Sequence, residues 1–224
     1  MAKKIFMTGT ETDIGKTYVS ALIVKKMREC GYNCGYYKPV VSGVEINNGR
    51  LTAGDPCYVI KTAGIPEEAE NCVSYMWEEP LSPHLAAARA GNLTDIGKIR
   101  HDFSQMCKKY DYLLTEGAGG ITCPIRLENG EKYLLKDLIL ELGLSTIITA
   151  DAGLGTINSV LLTVDYARKN GIDTAGIILN NWEQENFMHK DNLKQIEYLT
   201  GIDVIAAVPH NARDIILLEK FFRE

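Results

Sequence analysis

The sequence predicts an α/β fold, a doubly wound and mostly parallel sheet of about seven strands flanked by helices. Three observations predict it. Short apolar runs alternate with amphipathic stretches along the whole 224-residue chain. A glycine-rich turn joins the first such run to the first helical stretch. No internal repeat, low-complexity tract or linker interrupts the alternation, so a single domain over residues 1–224 is expected.

Taken in order, Lys4–Thr8 reads as the first strand, and Gly15 to about Glu29 as a helix stopped by Gly31. Asn33–Val41 is the second strand, expected beside the first. Asp55–Thr62 and Ser82–Ala90 read as short helices and Thr94–Lys109 as a longer one. Tyr112–Thr115 and Ser145–Ala150 suit central strands. Thr156–Asn170 is a helix closed by Gly171, and Gly176–Leu179 a further strand. Met188–Thr200, Val204–Val208 and Ala212–Phe222 complete the pattern as helix, strand and helix. The segment from Ile125 to Tyr133 carries Asn129-Gly130 between alternating flanks, which predicts a type I′ hairpin, placed as an excursion at the sheet edge.

Bulk properties exclude several classes. The chain is 46% hydrophobic and 24% charged, with net charge −5 and pI near 5.5. A domain of this size buries roughly 70% of its unfolded surface and needs no staples. No basic stripe offers itself to nucleic acid or to an anionic membrane, and no apolar run approaches the ~20 residues of a membrane span. Cysteines 30, 34, 57, 72, 107 and 123 form no Cys-x-x-Cys pair, and the chain opens straight into a strand without a secretory leader pattern. Reduced, buried thiols and a cytoplasmic location are expected.

The first turn carries the chemistry. Thr8-Gly-Thr-Glu-Thr-Asp-Ile-Gly-Lys-Thr17 follows a strand and precedes a helix, with the spacing Gly-x5-Gly-Lys-Thr. This is a P-loop with one residue more than the usual form. Gly9 and Gly15 let the backbone wrap so that its N–H groups face phosphate oxygens, and the helix start adds its positive dipole end. Lys16 supplies charge to the β- and γ-phosphates of a nucleoside triphosphate, and Thr17 a hydroxyl for Mg²⁺.

Three further clusters narrow the reading. Tyr36-Tyr-Lys-Pro-Val-Val-Ser-Gly43 ends the second strand, where ligands collect in such sheets, so Lys38 is placed to reach the γ-phosphate from another side, with Ser42 nearby. A surface lysine at a strand end explains Lys38 as well on spacing alone. Gly54-Asp-Pro56 opens the next helix, and Asp55 reads either as an N-cap with Pro56 first in the helix or as a functional acid. The apolar run from Tyr112 delivers Glu116 and then Gly117, Ala118 and Gly119 to the carboxyl end of the sheet, where a second Mg²⁺-directed carboxylate belongs.

These residues together resemble the dethiobiotin synthetase family over nearly the whole chain. The likeness rests on the long-spaced P-loop, Tyr37-Lys-Pro-Val40 with Ser42, Gly54-Asp55, Pro80-Leu-Ser-Pro-His84, Glu116-Gly-Ala-Gly-Gly120, Gly155-Thr-Ile-Asn158 and Ala175-Gly-Ile-Ile-Leu-Asn180. Glu11 stands where the family usually has Asp, and Ser159 where histidine is frequent. The resemblance implies that 7,8-diaminononanoate, CO₂ (as bicarbonate) and ATP give dethiobiotin, ADP and phosphate, through a carbamate and a carbamic–phosphoric mixed anhydride. It implies Lys16, Lys38 and Thr12 as catalytic residues, and Thr17, Asp55 and Glu116 as Mg²⁺ ligands. For the nucleotide it implies Asp13, Ile14, Gly15, Lys16, Thr17 and Tyr18 of the loop, together with Asp55, Glu116, Gly117, Ala118 and Gly119. Asn180, Asn181, Pro209, His210 and Asn211 are implied at the base. Thr12 and Ser42 are implied at the diamine, and Gly155 and Asn158 at its carboxylate, offered across a homodimer interface. ATP or CTP is left open.

Other features have plainer explanations. Ser82-Pro-His84 opens a helix, His101 and His189 lack companions at metal-ligand spacing, and Trp77 and Trp182 suit packing. A regulatory ATPase of the ParA or MinD kind shares the expected fold, but its signature lysine early in the loop is replaced here by Thr10 or Glu11. An amidoligase relative such as cobyrinate diamide synthase requires a glutaminase domain, for which 224 residues leave no room.

Overall fold

The first strand, β1 (Lys3–Gly9), lies at the middle of a seven-stranded sheet because Phe6, Met7 and Thr8 find cover on both of its faces. A computed structural model describes residues 2–48, 50–128 and 130–217. After β1 come α1 (Lys16–Glu29), β2 (Cys34–Ser42), β3 (Glu45–Asn47), β4 (Arg50–Ala53), α2 (Asp55–Ala63) and β5 (Val73–Trp77). There follow α3 (Pro83–Arg89), α4 (Ile96–Lys109), β6 (Tyr112–Gly120), β7 (Pro124–Glu128), β8 (Glu131–Leu134) and α5 (Leu135–Leu142). The chain continues through β9 (Ser145–Asp151), α6 (Thr156–Lys169), β10 (Thr174–Trp182), α7 (Phe187–Thr200) and β11 (Val204–Pro209).

The sheet runs β11-β10-β9-β1-β6-β2-β5, and every neighbouring pair is parallel. Strands buried on both faces need continuous apolar sequence. Ile147 and Ile178 accordingly enter one core cluster while Ile148, Ile177 and Leu179 enter another, the latter with Val160 and Val164 of α6 and Ile196 of α7. The helices start as their sequences specify: Asp95 accepts from the Gly97 N–H ahead of α4, and Asn186 from the Met188 N–H ahead of α7.

Several expectations are corrected. The second strand does not lie beside the first, because β6 inserts between β1 and β2 and pairs with both. The Ile125–Tyr133 excursion forms a separate two-stranded ribbon, β7 with β8, between a central strand and α5 rather than at a sheet edge. Within its turn Gly130 has φ 84°, and Asn129 lies outside the described residues. Residues 212–217 form no helix; the rest of the Ala212–Phe222 expectation lies outside the described residues. Gly54 caps α2, so Asp55 is its first residue and Pro56 its second. All six cysteines are free, as expected, but only Cys34 and Cys72 are buried; Cys57, Cys107 and Cys123 are half-buried and Cys30 is exposed. Among the described residues, no helix is long and apolar enough to cross a membrane.

Candidate active site

The carboxyl ends of β1, β2 and β6, the start of α2 and the 80–82 loop with the start of α3 enclose a cleft of about 820 Å³. That lies within the range of small-molecule sites, which cluster at such strand ends. Thr12, Asp13, Gly15, Lys16, Thr17, Tyr18, Lys38, Ser42 and Asp55 line it, with Ala118 and Gly119 across from the loop. Buried Ile14 anchors the loop from beneath.

The loop's shape is enforced from behind. Gly15 has φ +89°, and a Cβ there would stand 2.1 Å from Asn180 Nδ2. Only glycine accommodates both the left-handed backbone and that close approach. Asn180 Nδ2 donates to the Ile14 carbonyl at 3.1 Å, while its buried Oδ1 has no partner. That unpaired acceptor fits the amino group of a nucleotide base, which leaves a donor over.

Sheet periodicity assembles the charged centre. Tyr36 pairs with Leu114 in register, and Met7 with Glu116. Counting on by two, Tyr36, Lys38 and Glu116 share one face of the sheet. Lys38 Nζ donates to Glu116 Oε1 at 2.6 Å and also to Asp55 Oδ2. Thr17 Oγ1 donates to the same Glu116 oxygen at 2.8 Å, and the Tyr36 hydroxyl to Glu116 Oε2 at 3.1 Å. Glu116 is wholly buried behind Thr17 and Lys38, which stand between it and the cleft. Lys16 Nζ donates instead to the Glu11 carbonyl at 2.9 Å.

The two lysines are tuned in opposite directions. Burial, and then the neighbouring Lys38 ammonium, push the Lys16 pKa below the ordinary lysine value, against the pull of Glu116, Asp55 and Asp13. Burial also works against the charge on Lys38, but the Glu116 and Asp55 carboxylates outweigh it and hold the pKa above the ordinary value. Burial, reinforced by Glu116, raises the Tyr36 phenol well above its usual range, so it remains a donor. Cys123, also on the cleft, is pushed by burial up to about 11 and stays a thiol at neutral pH.

The donor set fits a hard divalent cation: two carboxylates and a hydroxyl, all oxygen. Among the described residues no group of three or more His, Cys, Asp or Glu stands ready to hold a metal. The fit rests on Thr17, Asp55 and Glu116, around the spot where the Lys38 ammonium now supplies the positive charge.

The remaining predicted residues lie apart from this centre. Gly117 turns toward Phe6 and Leu135, and a Cβ there would meet them at 2.9 and 2.6 Å, so its lack of a side chain serves packing. Asn181, with φ 56°, donates to Asp151 Oδ2 at 2.7 Å, and Asp151 Oδ1 accepts from the Gly153 N–H. Pro209, the last residue of β11, and His210 and Asn211 beyond it are exposed; Tyr18, whose hydroxyl donates to the Ala212 carbonyl at 2.7 Å, ties that segment to the loop helix. Gly155 and Asn158 are exposed at the start of α6 and do not line the cleft of their own chain. Sequence reasoning missed the hydroxyl of Tyr36, the wall of Val41 and Leu81, and Tyr58. The i,i+3 spacing of Tyr58 from Asp55 was the available signal for the last.

The AAA domain family matches residues 3–213. The ATP-dependent dethiobiotin synthetase BioD of Clostridium botulinum is 47% identical over 204 residues, covering 91% of this chain and 89% of that protein. The protein of the same name from Brachyspira hyodysenteriae is 48% identical over 208 residues, covering 93% and 92%. Among solved structures, the MinC:MinD cell division protein complex of Aquifex aeolicus aligns with a TM-score of 0.55 at 14% identity, covering 95% of this chain and 83% of that one. A likeness so low in identity is one of fold, whereas near-half identity along almost the full length of both proteins is one of family. The chain belongs to the family of ATP-dependent dethiobiotin synthetases, built on a P-loop nucleotide-binding fold.

Proposed function

We propose that this chain closes the ureido ring of dethiobiotin from 7,8-diaminononanoate and CO₂ at the expense of ATP. The observation that carries the proposal is that the phosphate loop, Lys38 and Asp55 line one cleft, backed by Glu116, in a chain nearly half identical to dethiobiotin synthetases. One amine of the substrate adds to CO₂ and forms a carbamate. The carbamate oxygen takes the γ-phosphoryl group from ATP, releasing ADP. The second amine then attacks the carbamate carbon, the C–O bond to phosphate breaks, and the ring closes with loss of phosphate.

The chain's part in this is positioning and charge neutralisation, as in phosphoryl transfer generally. Lys16 leaves the Glu11 carbonyl for the phosphates, and Lys38 faces the phosphoryl group and the carbamate from the other side. Thr12 and Ser42 line the diamine. Asp13 to Tyr18 wrap the phosphates, Ala118 and Gly119 border them, and Asn180, Asn181 and residues 209–211 border the base. Thr17, Asp55 and Glu116 would hold Mg²⁺, which when bound would offset the negative charge of the phosphates. Gly155 and Asn158 serve the diamine carboxylate of a second subunit. Leu154, 93% exposed just before α6, and Leu162, 63% exposed and one helical turn after Asn158, suit burial in a homodimer. Six free thiols suit a reducing cytoplasm.

The test is phosphate release by the purified protein with bicarbonate, Mg²⁺ and ATP, with and without the diamine. Release that requires the diamine, with a ureido product by mass spectrometry, is the expected outcome. Diamine-independent ATP turnover without that product rejects the ligase reading.

A further inference from the structure

We propose that Tyr36 is the positioning residue that holds the Glu116 carboxylate during turnover, an inference that rests on the reading of Glu116 as a metal ligand. Glu116 accepts from three donors. Two of them, Thr17 Oγ1 at 2.8 Å and Lys38 Nζ at 2.6 Å, share Oε1. Both also line the cleft and have work there once substrates arrive. The Lys38 ammonium would turn to the transferred phosphoryl group and leave Glu116, while the Thr17 hydroxyl would give a lone pair to the cation and keep its proton on Oε1.

The third donor does not leave. The Tyr36 hydroxyl reaches Oε2 at 3.1 Å, makes no other hydrogen bond among the described residues, and lies outside the cleft wall. Tyr36 is 0% exposed, as is Glu116. Its ring is fixed by the sheet, because Tyr36 pairs with Leu114 and so sits diagonally behind Glu116 on the same face. Holding Oε2 fixes the carboxylate plane and leaves Oε1 directed at the cleft. Outer-shell partners of this kind orient a ligating carboxylate, and their loss weakens metal affinity about 10- to 100-fold.

The experiment measures Mn²⁺ affinity by electron paramagnetic resonance in the presence of saturating ADP. It compares the wild type, Tyr36→Phe, Glu116→Gln and the double variant. Phenylalanine keeps the ring in the core and removes only the hydroxyl; circular dichroism and a thermal melt check that each variant is folded. The expected result is at least a tenfold loss in Tyr36→Phe and no further loss when Tyr36→Phe is added to Glu116→Gln. A merely structural tyrosine would weaken both backgrounds alike or neither. If Glu116→Gln weakens Mn²⁺ binding while Tyr36→Phe does not, the assignment of Tyr36 falls and the metal reading stands. If Glu116→Gln itself changes nothing, the metal reading falls and takes the role of Tyr36 with it.

Discussion

Replacing Lys38 with methionine tests the charged centre most directly. Lys38 is 3% exposed and neutralises two carboxylates that differ in their access to water. The Asp55 side chain is 44% exposed and rehydrates once the ammonium is gone, so its share falls in the surface range of about 0–1 kcal/mol. Glu116 is wholly buried, and an orphaned buried ion costs about 3–5 kcal/mol. Thr17 and Tyr36 still donate to it, which sets the expectation near the lower end, about 3 kcal/mol. For a chain of this length that amounts to a melting point lower by about 6–12 °C. Urea and thermal unfolding at pH 7.5 without nucleotide measure it. Adding Glu116→Gln removes the orphaned charge and recovers most of the loss. Turnover by Lys38→Met is abolished while nucleotide binding is largely kept. In the wild type, the raised Lys38 pKa gives a contribution that is fully present below about pH 10 and lost as pH rises through the folded value. Stability between pH 6 and 9 is therefore unaffected by this group. A Lys38→Met variant within 1 kcal/mol of wild type, or a double variant no more stable than the single, refutes the reasoning.

Three other outcomes follow from the same geometry. Lys16 carries a pKa lowered by burial, so its charge weighs against the empty fold at neutral pH, and that burden shrinks as pH rises toward the ordinary lysine value. Lys16→Met should raise the melting point of the nucleotide-free protein by a few degrees and erase the stabilisation that ATP confers, both read in one thermal-shift titration. Gly15→Ala forces a Cβ against Asn180 at φ +89° and breaks the bond to Ile14. A left-handed alanine costs about 1–2 kcal/mol and the lost hydrogen bond about 1, so urea titration should show a loss of about 2–3 kcal/mol, with nucleotide affinity down at least tenfold. On the proposed homodimer, Leu162→Asp should shift the protein to monomer in sedimentation equilibrium and remove ring closure while nucleotide binding persists.

Much of this was legible in the sequence because it depends on local pattern. The P-loop needs only its glycines, Lys16 and Thr17 in order between a strand and a helix. The continuous apolar runs at Ser145–Asp151 and Thr174–Trp182 announce strands covered on both sides. What was not legible depends on pairing between distant segments. Strand β5, Val73-Ser-Tyr-Met-Trp77, is a half-buried edge strand whose apolar residues show neither strict alternation nor an unbroken run. The ribbon of β3 and β4 does alternate, with Ile46 and Leu51 turned inward between exposed neighbours, but over only three and four residues, too short a run to announce a strand. The position of β6 between β1 and β2 is set by register across the sheet. With it come the meeting of Lys38 with Glu116 and the duty of Tyr36. Spacing along the chain does show that Tyr36 and Lys38 share a strand face, but not that a carboxylate waits opposite them. The N-cap of α2 was misjudged by one residue because Gly54, with φ 133°, takes a conformation that only its lack of a side chain permits.

The strand order also sets a timetable. Lys38 and Glu116 stand 78 residues apart in the chain, and Thr17 and Glu116 stand 99 apart. At about 5–20 residues per second, roughly 4–16 s of synthesis separate the emergence of Lys38 from that of Glu116. Until β6 is made, β1 and β2 have no shared neighbour, and their buried faces, Phe6, Met7, Tyr36 and Tyr37 among them, have no complete core to enter. The nascent chain therefore carries a finished phosphate-loop sequence long before it can close a site around it. Parallel pairings of such range close slowly and leave unpaired strand edges open to other chains. A chaperone that shields the first two strands during that interval would act on the same gap that β6 later fills.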